Sequence, residues 1–289
     1  MVDKGSSLWK DAWLRFKRGR VAMVMLWIVV IYAVVAMLVV TGALASNWND
    51  AVGENMEYLA PSWQNPFGTD LFGRSVLQKT IYGAKVSLTV ALFASMLSIA
   101  IGVPMGAIAG YFGGVVDEFV VWLYSTLSSI PHFLLILAFA FVLRDKLPGL
   151  SSVYLAMGLT SWVGLCRLIR GETLKHKNRD YVAAATAFGA SKARVIFRHI
   201  LPNVTHLILI DFSLRFVAFI HAEVILSYLG LGPKDGGSWG AMINDAKQEL
   251  SRGCWWGLAA ATVAIFLISL ALNTVGDRMR DALDPKLRS

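Results

Sequence analysis

The chain has 289 residues, of which 56% are hydrophobic and only 16% charged, and its mean hydropathy is +0.58. A soluble domain carries about 25% charged residues, so composition argues against a cytosolic enzyme, and the high apolar and aromatic content excludes a disordered chain. The net charge of +8 does not point to a nucleic-acid binder. The excess sits in short segments beside apolar runs, where it sets membrane orientation and meets anionic lipid headgroups.

In chain order, Trp9, Trp13 and Phe16 come first, at helical spacing among basic residues. This is the pattern of a short helix lying at a membrane interface, or of a plain cytosolic tail. Segment 21–44 is uncharged and long enough to cross a bilayer. Ala43-Leu44-Ala45 resembles a signal-peptide cleavage site, but the apolar run exceeds the roughly 7–15 residues of a signal core. It is therefore read as a retained span. Residues 45–83 form a long loop rich in turn formers (Asn47, Asn49, Gly53, Pro61, Asn65, Pro66, Gly68). A loop of that length is functional or locally ordered.

Further spans are expected at 86–110, which holds Pro104, at 117–142, at 151–169, at 204–229 and at 254–275. Pro131 is expected to kink the third span, with a gate hinge as the other reading. The fifth span contains Asp211, Arg215, His221 and Glu223. A glycine-rich loop, 230–253, precedes the sixth. With the amino terminus inside, the inner segments hold eighteen Lys and Arg against eight outside, with Arg215 within a span. Both termini are thus expected in the cytoplasm.

No P-loop string GxxxxGK[ST], no GxSxG and no HExxH occurs. Transport, if driven, must take its energy from a partner or an ion gradient. Cys166 and Cys254 are expected near opposite faces and unpaired, and the five histidines form no metal-binding pattern.

The inner segment 170–203 contains DYVAAATAFGASKARVIFRHILPN from Asp180 to Asn203. Asp180 can cap a helix favoured by Ala183, Ala184 and Ala185. Gly189 permits a sharp turn, and a second helical stretch carries Lys192, Arg194 and Arg198. Pro202 is expected to stop it before the next span. The expected form is helix, turn, helix against the inner face, with small residues that let another protein approach closely; a solvated connector is the plainer alternative.

Here the residues carry a resemblance. Permease subunits of binding-protein-dependent ABC importers have a cytoplasmic motif of the form EAA, three residues, Gly, nine residues, Ile, one residue, Leu-Pro. Ala184, Ala185, Gly189, Leu201 and Pro202 match it in register, whereas Ala183 stands in place of Glu and His199 in place of Ile. Gly68-Thr69-Asp70 with Gly73-Arg74, followed by Tyr82-Gly83-Ala84-Lys85-Val86-Ser87-Leu88, is similar to the stretch before the second span in the dipeptide/oligopeptide/nickel branch. Ser75 replaces the Asp usual after that Arg. Ala222-Glu223, Ser227-Tyr228-Leu229-Gly230-Leu231-Gly232 and Ser238-Trp239-Gly240-Ala241-Met242 resemble the end of the fifth span and its following loop. Gly276-Asp277 and Arg280-Asp281-Ala282-Leu283-Asp284-Pro285 resemble the carboxyl end. These blocks run from about residue 61 to 288, in order, and match the second permease of the pair.

The resemblance implies an all-α polytopic protein of six transmembrane helices with the type I ABC importer permease fold, in a bacterial inner membrane. It implies residues 1–83 as an amino-terminal segment, first span and periplasmic loop, 84–277 as the permease domain with its coupling loop at 170–203, and 278–289 as a cytoplasmic tail. The implied partners are a second homologous permease, two ABC ATPases that bind the ATP and Mg, and an extracytoplasmic binding protein. This chain would hold no cofactor and perform no chemistry, and its cargo would be peptides, or nickel or another small solute.

Asp211 and Arg215 are four apart, so they share a helix face and can pair. Ionisable groups inside a span are costly and mark pathways or locking pairs. With Glu223, they either line a translocation pathway or hold the helix in place; for Glu223, the family's usual Glu, a structural or gating role is the favoured reading. An ion-coupled transporter using all three as a relay is the rival from another class.

Overall fold

Long apolar runs with few breakers leave the backbone one way to satisfy its N–H and C=O groups away from water, which is to form helices. The computed structural model describes residues 8–147, 149–233 and 237–283. Of the expectations above, Asp284 and Pro285, the rest of the tail to 289, residues 1–7 and part of the loop 230–253 (234–236) lie outside the described residues. The helices are α1 Leu8–Arg18, α2 Arg20–Val40, α3 Val76–Phe112, α4 Gly114–Ser128, α5 His132–Arg144, α6 Ser151–Lys177, α7 Asp180–Ala187, α8 Lys192–Arg194, α9 Leu201–Tyr228, α10 Trp239–Leu250 and α11 Trp256–Leu283. A π-helical turn, Val195–Ile200, joins α8 to α9. Among the described residues, strand pairing is limited to two isolated bridges, Ala51 with Arg74 and Thr69 with Ser75.

Four helices (α2, α3, α6, α11) are long and apolar enough to cross a membrane, and α4 with α5 makes a fifth if the bent pair is one span. α2 is apolar on every side and mostly uncovered: Met37 is 70% exposed and Trp27 61%. Such a helix is stable only with lipid or protein around it. α9 has 28 residues but carries Asp211, Arg215 and Glu223.

Several expectations are corrected. The second span is a helix from Val76, ten residues earlier than expected, and it passes through Pro104 without interruption. Pro131 does more than kink the third span: α4 and α5 meet at 87°. Proline lacks an N–H and disfavours helical geometry in the residue before it, so Ser129–Pro131 breaks both ladders. Loop 230–253 is not simply a loop, because α10 occupies half of it, capped where the Ser238 hydroxyl accepts from the Ala241 amide at 3.1 Å.

The described residues form two compact units. One takes those up to Ala91, Leu147–Val153 and those from Phe216 on. In it α11 packs on α1, α2 and α10. Trp239 is fully buried, its indole N–H donating to the Thr80 carbonyl at 2.9 Å. A Cβ at Gly83 would stand 2.7 Å from that indole nitrogen, so only glycine admits the ring. Phe16 packs with Ala22 and Val275, fixing α1 to the start of α2 and the end of α11.

The other unit takes Leu92–Lys146 and Tyr154–Arg215. There α3 and α6 approach closely along Gly102, Gly106 and Gly110. A Cβ on these would fall 2.8 Å from the Trp162 carbonyl, 3.0 Å from the Arg170 amide and 2.7 Å from the Arg170 carbonyl. Small residues four apart let two backbones touch, the usual means of packing helices in lipid, where no hydrophobic force separates protein from solvent. Arg170 also reaches across to Asp117, with Nη2 to Oδ2 at 2.6 Å.

Candidate functional site

The segment 180–203 is built as helix, turn, helix. α7 ends in two reciprocal bonds: the Gly189 amide donates to Thr186 at 2.9 Å and the Ala190 amide to Ala185 at 3.0 Å. This double closure needs a left-handed residue, and Gly189 supplies it at φ +80°. Ala190 then packs against Val182, Val195 and Ile200, the cluster that holds α7 to the π turn, with Tyr111 beside it.

Asp180 does not cap α7, however. It is the first helical residue, the cap position is Arg179, and no side chain closes that end. Ser191 caps the following helix through the Arg194 amide. Pro202 does not stop the helix either. The π turn carries the Leu201 amide to the carbonyl of Ile196, five residues back, and the helix runs on as α9. Widening by one residue reorganises the bonding just where proline has no N–H to give. The second arm of the elbow, α8 and the π turn, is therefore in direct helical continuity with α9.

Only Val182 of α7 is buried. Ala183 and Ala184 are exposed and Ala185 is partly so. Leu201 turns inward, against the cluster of Val103, Ala107, Leu165, Ile169, Ile196 and Val204, while Pro202 is exposed. Phe188, at the end of the small-residue face, is 93% exposed. Sequence reasoning passed over it; the signal was an aromatic immediately before the turn glycine, with no apolar partner in helical register.

Within α9, Arg215 donates through Nε and Nη2 to the Asp211 carboxylate and through Nη1 to the Ser161 carbonyl of α6. The pair is about four-fifths buried, with side chains 19% and 18% exposed. Glu223 is in a different setting. It is fully buried and accepts from the Ser87 hydroxyl at 2.7 Å and the Ser227 hydroxyl at 2.6 Å. Glu223 lies twelve residues after Asp211 and eight after Arg215, about 18 and 12 Å of helix rise, and its bonds go to Ser87 and Ser227, within its own unit. His221 makes a separate contact, Nε2 to Ser269 Oγ at 3.0 Å.

The stretch Gly68, Thr69, Asp70, Gly73, Arg74 is a knot. The Thr69 hydroxyl donates to the Met56 carbonyl at 2.5 Å and accepts from the Leu59 amide at 2.8 Å, and the Thr69 carbonyl accepts from the Trp256 indole at 2.9 Å. Asp70, 2% exposed, accepts from the Phe72 and Arg74 amides, from Arg74 Nε at 2.7 Å and from Lys79 Nζ at 3.1 Å. Lys79 is itself buried and bridges to Asp245 of α10 at 2.8 Å. Burial by itself pushes the Asp70 carboxyl up, but the Arg74 hydrogen bond and the Lys79 charge together hold it below the usual range. Glu249, also buried, goes the other way: burial raises it, with Lys79 opposing, and its Oε1 has no hydrogen-bond partner among the described residues.

Cys166 and Cys254 are both free and buried.

A helical chain with a protruding, aromatic-tipped elbow and buried charge clusters has the character of a membrane transport subunit. The family model described as "Binding-protein-dependent transport system inner membrane component" matches residues 102–289, and that described as "N-terminal TM domain of oligopeptide transport permease C" matches residues 7–61. The dipeptide transport system permease protein DppC of Bacillus subtilis (strain 168) is 38% identical over 282 residues, 96% of this chain and 86% of that protein. The oligopeptide transport system permease protein OppC of the same organism is 36% identical, covering 99% and 92%. The glutathione transport system permease protein GsiD of Escherichia coli O6:K15:H31 (strain 536 / UPEC) is 34% identical, covering 99% and 93%. Among solved structures, the inward-facing MetNI methionine ABC transporter aligns with a TM-score of 0.58 at 15% identity, over 72% of this chain and 98% of that chain. At that identity the likeness speaks for the fold alone. The chain belongs to the family of binding-protein-dependent transport system inner membrane components, and its fold is that of a type I ABC importer permease.

Proposed function

We propose that this permease forms half of the translocation pathway of a peptide importer and is driven by separate ATPases gripping α7. In this reading it crosses the bacterial inner membrane six times, α4 and α5 counting as one broken span and α9 as the fifth, with both termini cytoplasmic. Its partners are a second homologous permease, two ABC ATPases that bind ATP and Mg, an extracytoplasmic binding protein and the surrounding lipid. The chain has no cofactor and no catalysis of its own. Residues Ala183, Ala184, Ala185, Gly189, Leu201 and Pro202 form the coupling element.

The observation that carries this reading is the exposure of Phe188 on an α7 whose opposite face is packed down by Val182. An aromatic at 93% exposure beside small residues is an anchor awaiting a groove. Val182 and Ala190 pack on the π turn, and the continuity of that turn with α9 lets a push on α7 reach Asp211 and Arg215. Peptide cargo is supported by relatives named for dipeptides, oligopeptides and glutathione. The burial of Glu223 among the Ser87, Ser227 and Ser238 hydroxyls argues for a structural or gating part and against a proton relay.

The test is copurification of the ATPases with tagged permease. Phe188→Ala should abolish capture while leaving the permease at its normal level in the membrane; undiminished capture would remove α7 from the coupling role.

A further inference from the structure

The 87° break between α4 and α5 borders a cavity of about 390 Å³. Its polar lining is Ser128, His132, Thr160, Ser161, Arg167 and Arg215, and no acidic residue lines it. The Ser128 and Thr160 hydroxyls each spend their one donor on a backbone carbonyl of their own helix, so the donors to spare are those of the arginines. A guanidinium has five N–H donors. Arg215 commits Nε–H and one Nη2–H to Asp211 and one Nη1–H to the Ser161 carbonyl, which leaves two. Asp211 balances the Arg215 charge, but Arg167 has no carboxylate partner among the described residues. Its Nη2 donates to the Ser128 hydroxyl at 2.8 Å, and its plane rests on the Tyr124 ring with Cζ at 4.6 Å. His132 Nε2 lies 3.0 Å from Ser161 Oγ.

The chain break adds a further positive element. α5 is 13 residues long, and its cap position, Pro131, offers no side-chain acceptor to the first-turn amides. Pro131 and His132 line the cavity, so a helix start with uncapped N–H groups opens beside the two arginines. A half-open cavity whose lining is net positive, with Arg167 and His132 exposed, favours a small anion. The planar forks of two arginines suit a carboxylate that accepts two bonds at once.

We propose that the cavity at the α4–α5 break is a binding site for the carboxylate of a small solute, with Arg167 and Arg215 as its donors. The inference rests on the importer reading and deepens it, since a peptide's terminal carboxylate would be recognised within this subunit as well as by the binding protein.

The test uses the assembled complex in lipid nanodiscs, without binding protein, with tri-alanine and tri-alanine amide as probes. Tri-alanine should raise the thermal midpoint of the wild-type complex and, by less because the planar fork is lost, of Arg167→Lys, and the amide should not. Arg167→Gln should weaken the tri-alanine effect about tenfold, the loss of one charge-assisted bond. His132→Leu, which removes one side-chain hydrogen bond at a partly exposed position, should weaken it by a smaller factor. In proteoliposomes with binding protein, Arg167→Gln should lower uptake of the acid relative to the amide by a similar factor. Equal responses to acid and amide, in wild type and variants alike, would overturn the site. So would a tri-alanine effect that appears only in discs free of phosphatidylglycerol, because a lipid phosphate would then be the natural occupant. A complex that binds the acid through Arg167 yet pumps neither probe would keep the site and remove the cargo reading.

Discussion

The hydroxyl of Ser87 donates to Glu223 Oε2 at 2.7 Å, across 136 residues of sequence, and joins the α3 and α9 helices through a carboxylate that solvent does not reach. Ser227 donates to Oε1, one turn further along α9, and Ser238 bonds the carboxylate as well. Glu223→Ala should leave the buried hydroxyls of Ser87, Ser227 and Ser238 without this acceptor, as well as a void. The expected cost is about 1–3 kcal/mol, visible as a lowered thermal midpoint of the purified complex. Glu223→Gln, which keeps the shape and can bond the hydroxyls, should recover most of it. A proton-relay role would give the reverse order, with stability intact and transport lost in Gln.

The pair Asp211 and Arg215 should behave as a unit. Asp211→Asn alone strands a cation that is four-fifths buried, and should reduce the amount of assembled complex. The double replacement Asp211→Asn with Arg215→Gln should restore assembly but change which peptides are taken up. Unchanged uptake by the double variant would make the pair purely structural.

The glycine stripe of α3 makes a steeper prediction. At Gly106 even a methyl would meet the Arg170 amide at 3.0 Å and Ile169 Cβ at 3.1 Å. Gly106→Leu forces α3 and α6 apart, and overpacking of this kind costs about 1–3 kcal/mol or more. Loss of the complex from the membrane is expected, read by immunoblot of the membrane fraction.

Gly189 is different. A side chain there meets nothing within 4 Å, but the backbone is left-handed at φ +80°. A non-glycine residue pays about 1–2 kcal/mol for that conformation, and a β-branched one more. Gly189→Val should therefore unwind the end of α7 with the spans intact: normal membrane level, lost ATPase capture. Gly189→Ala should be milder in both respects.

The knot around Asp70 sets a pH dependence with two signs. Asp70 has a folded pKa below its unfolded value, because Arg74 and Lys79 outweigh the burial that opposes them. Its contribution is present above the unfolded carboxylate range, near 4, and is lost as pH falls below that. Glu249 is raised by burial, so the folded state binds its proton more tightly than the unfolded state. Stability from this group grows as pH falls through the raised value and is lost as pH rises. Glu249→Gln should raise the thermal midpoint at neutral pH and flatten its slope in the mildly acidic range. Asp70→Asn should lower the midpoint at neutral pH and remove the loss below about pH 4. Midpoints measured across pH 3–8 check both.

The cores of the apolar runs were legible in the sequence because a long uncharged stretch has few stable settings besides a membrane helix. Their ends were not, as with the ten residues of α3 before Val86, where Lys79 and Lys85 read as loop charges until burial between Asp70 and Asp245 explains the first. α10 was hidden by its glycine-rich flanks, although Ser238 ahead of Met242, Ala246 and Glu249 is a cap followed by an amphipathic spacing. The Asp211–Arg215 pairing followed from helical geometry. The seclusion of Glu223 did not, because Ser87 lies 136 positions away. Pro202 misled because a proline reads as a helix stop unless the turn before it has already changed its bonding. The stripe of Gly102, Gly106 and Gly110 was visible at four-residue spacing and carried the packing of two spans.

The central claim is that α7 and its Gly189 turn are a handle for a separate motor. The most direct measurement is ATP-dependent uptake of tri-alanine into proteoliposomes holding this permease alone, or with its second permease, the two ATPases and the binding protein. Uptake only with the full set, lost on Phe188→Ala, is the expected result. Accumulation by vesicles containing this chain by itself would contradict the account.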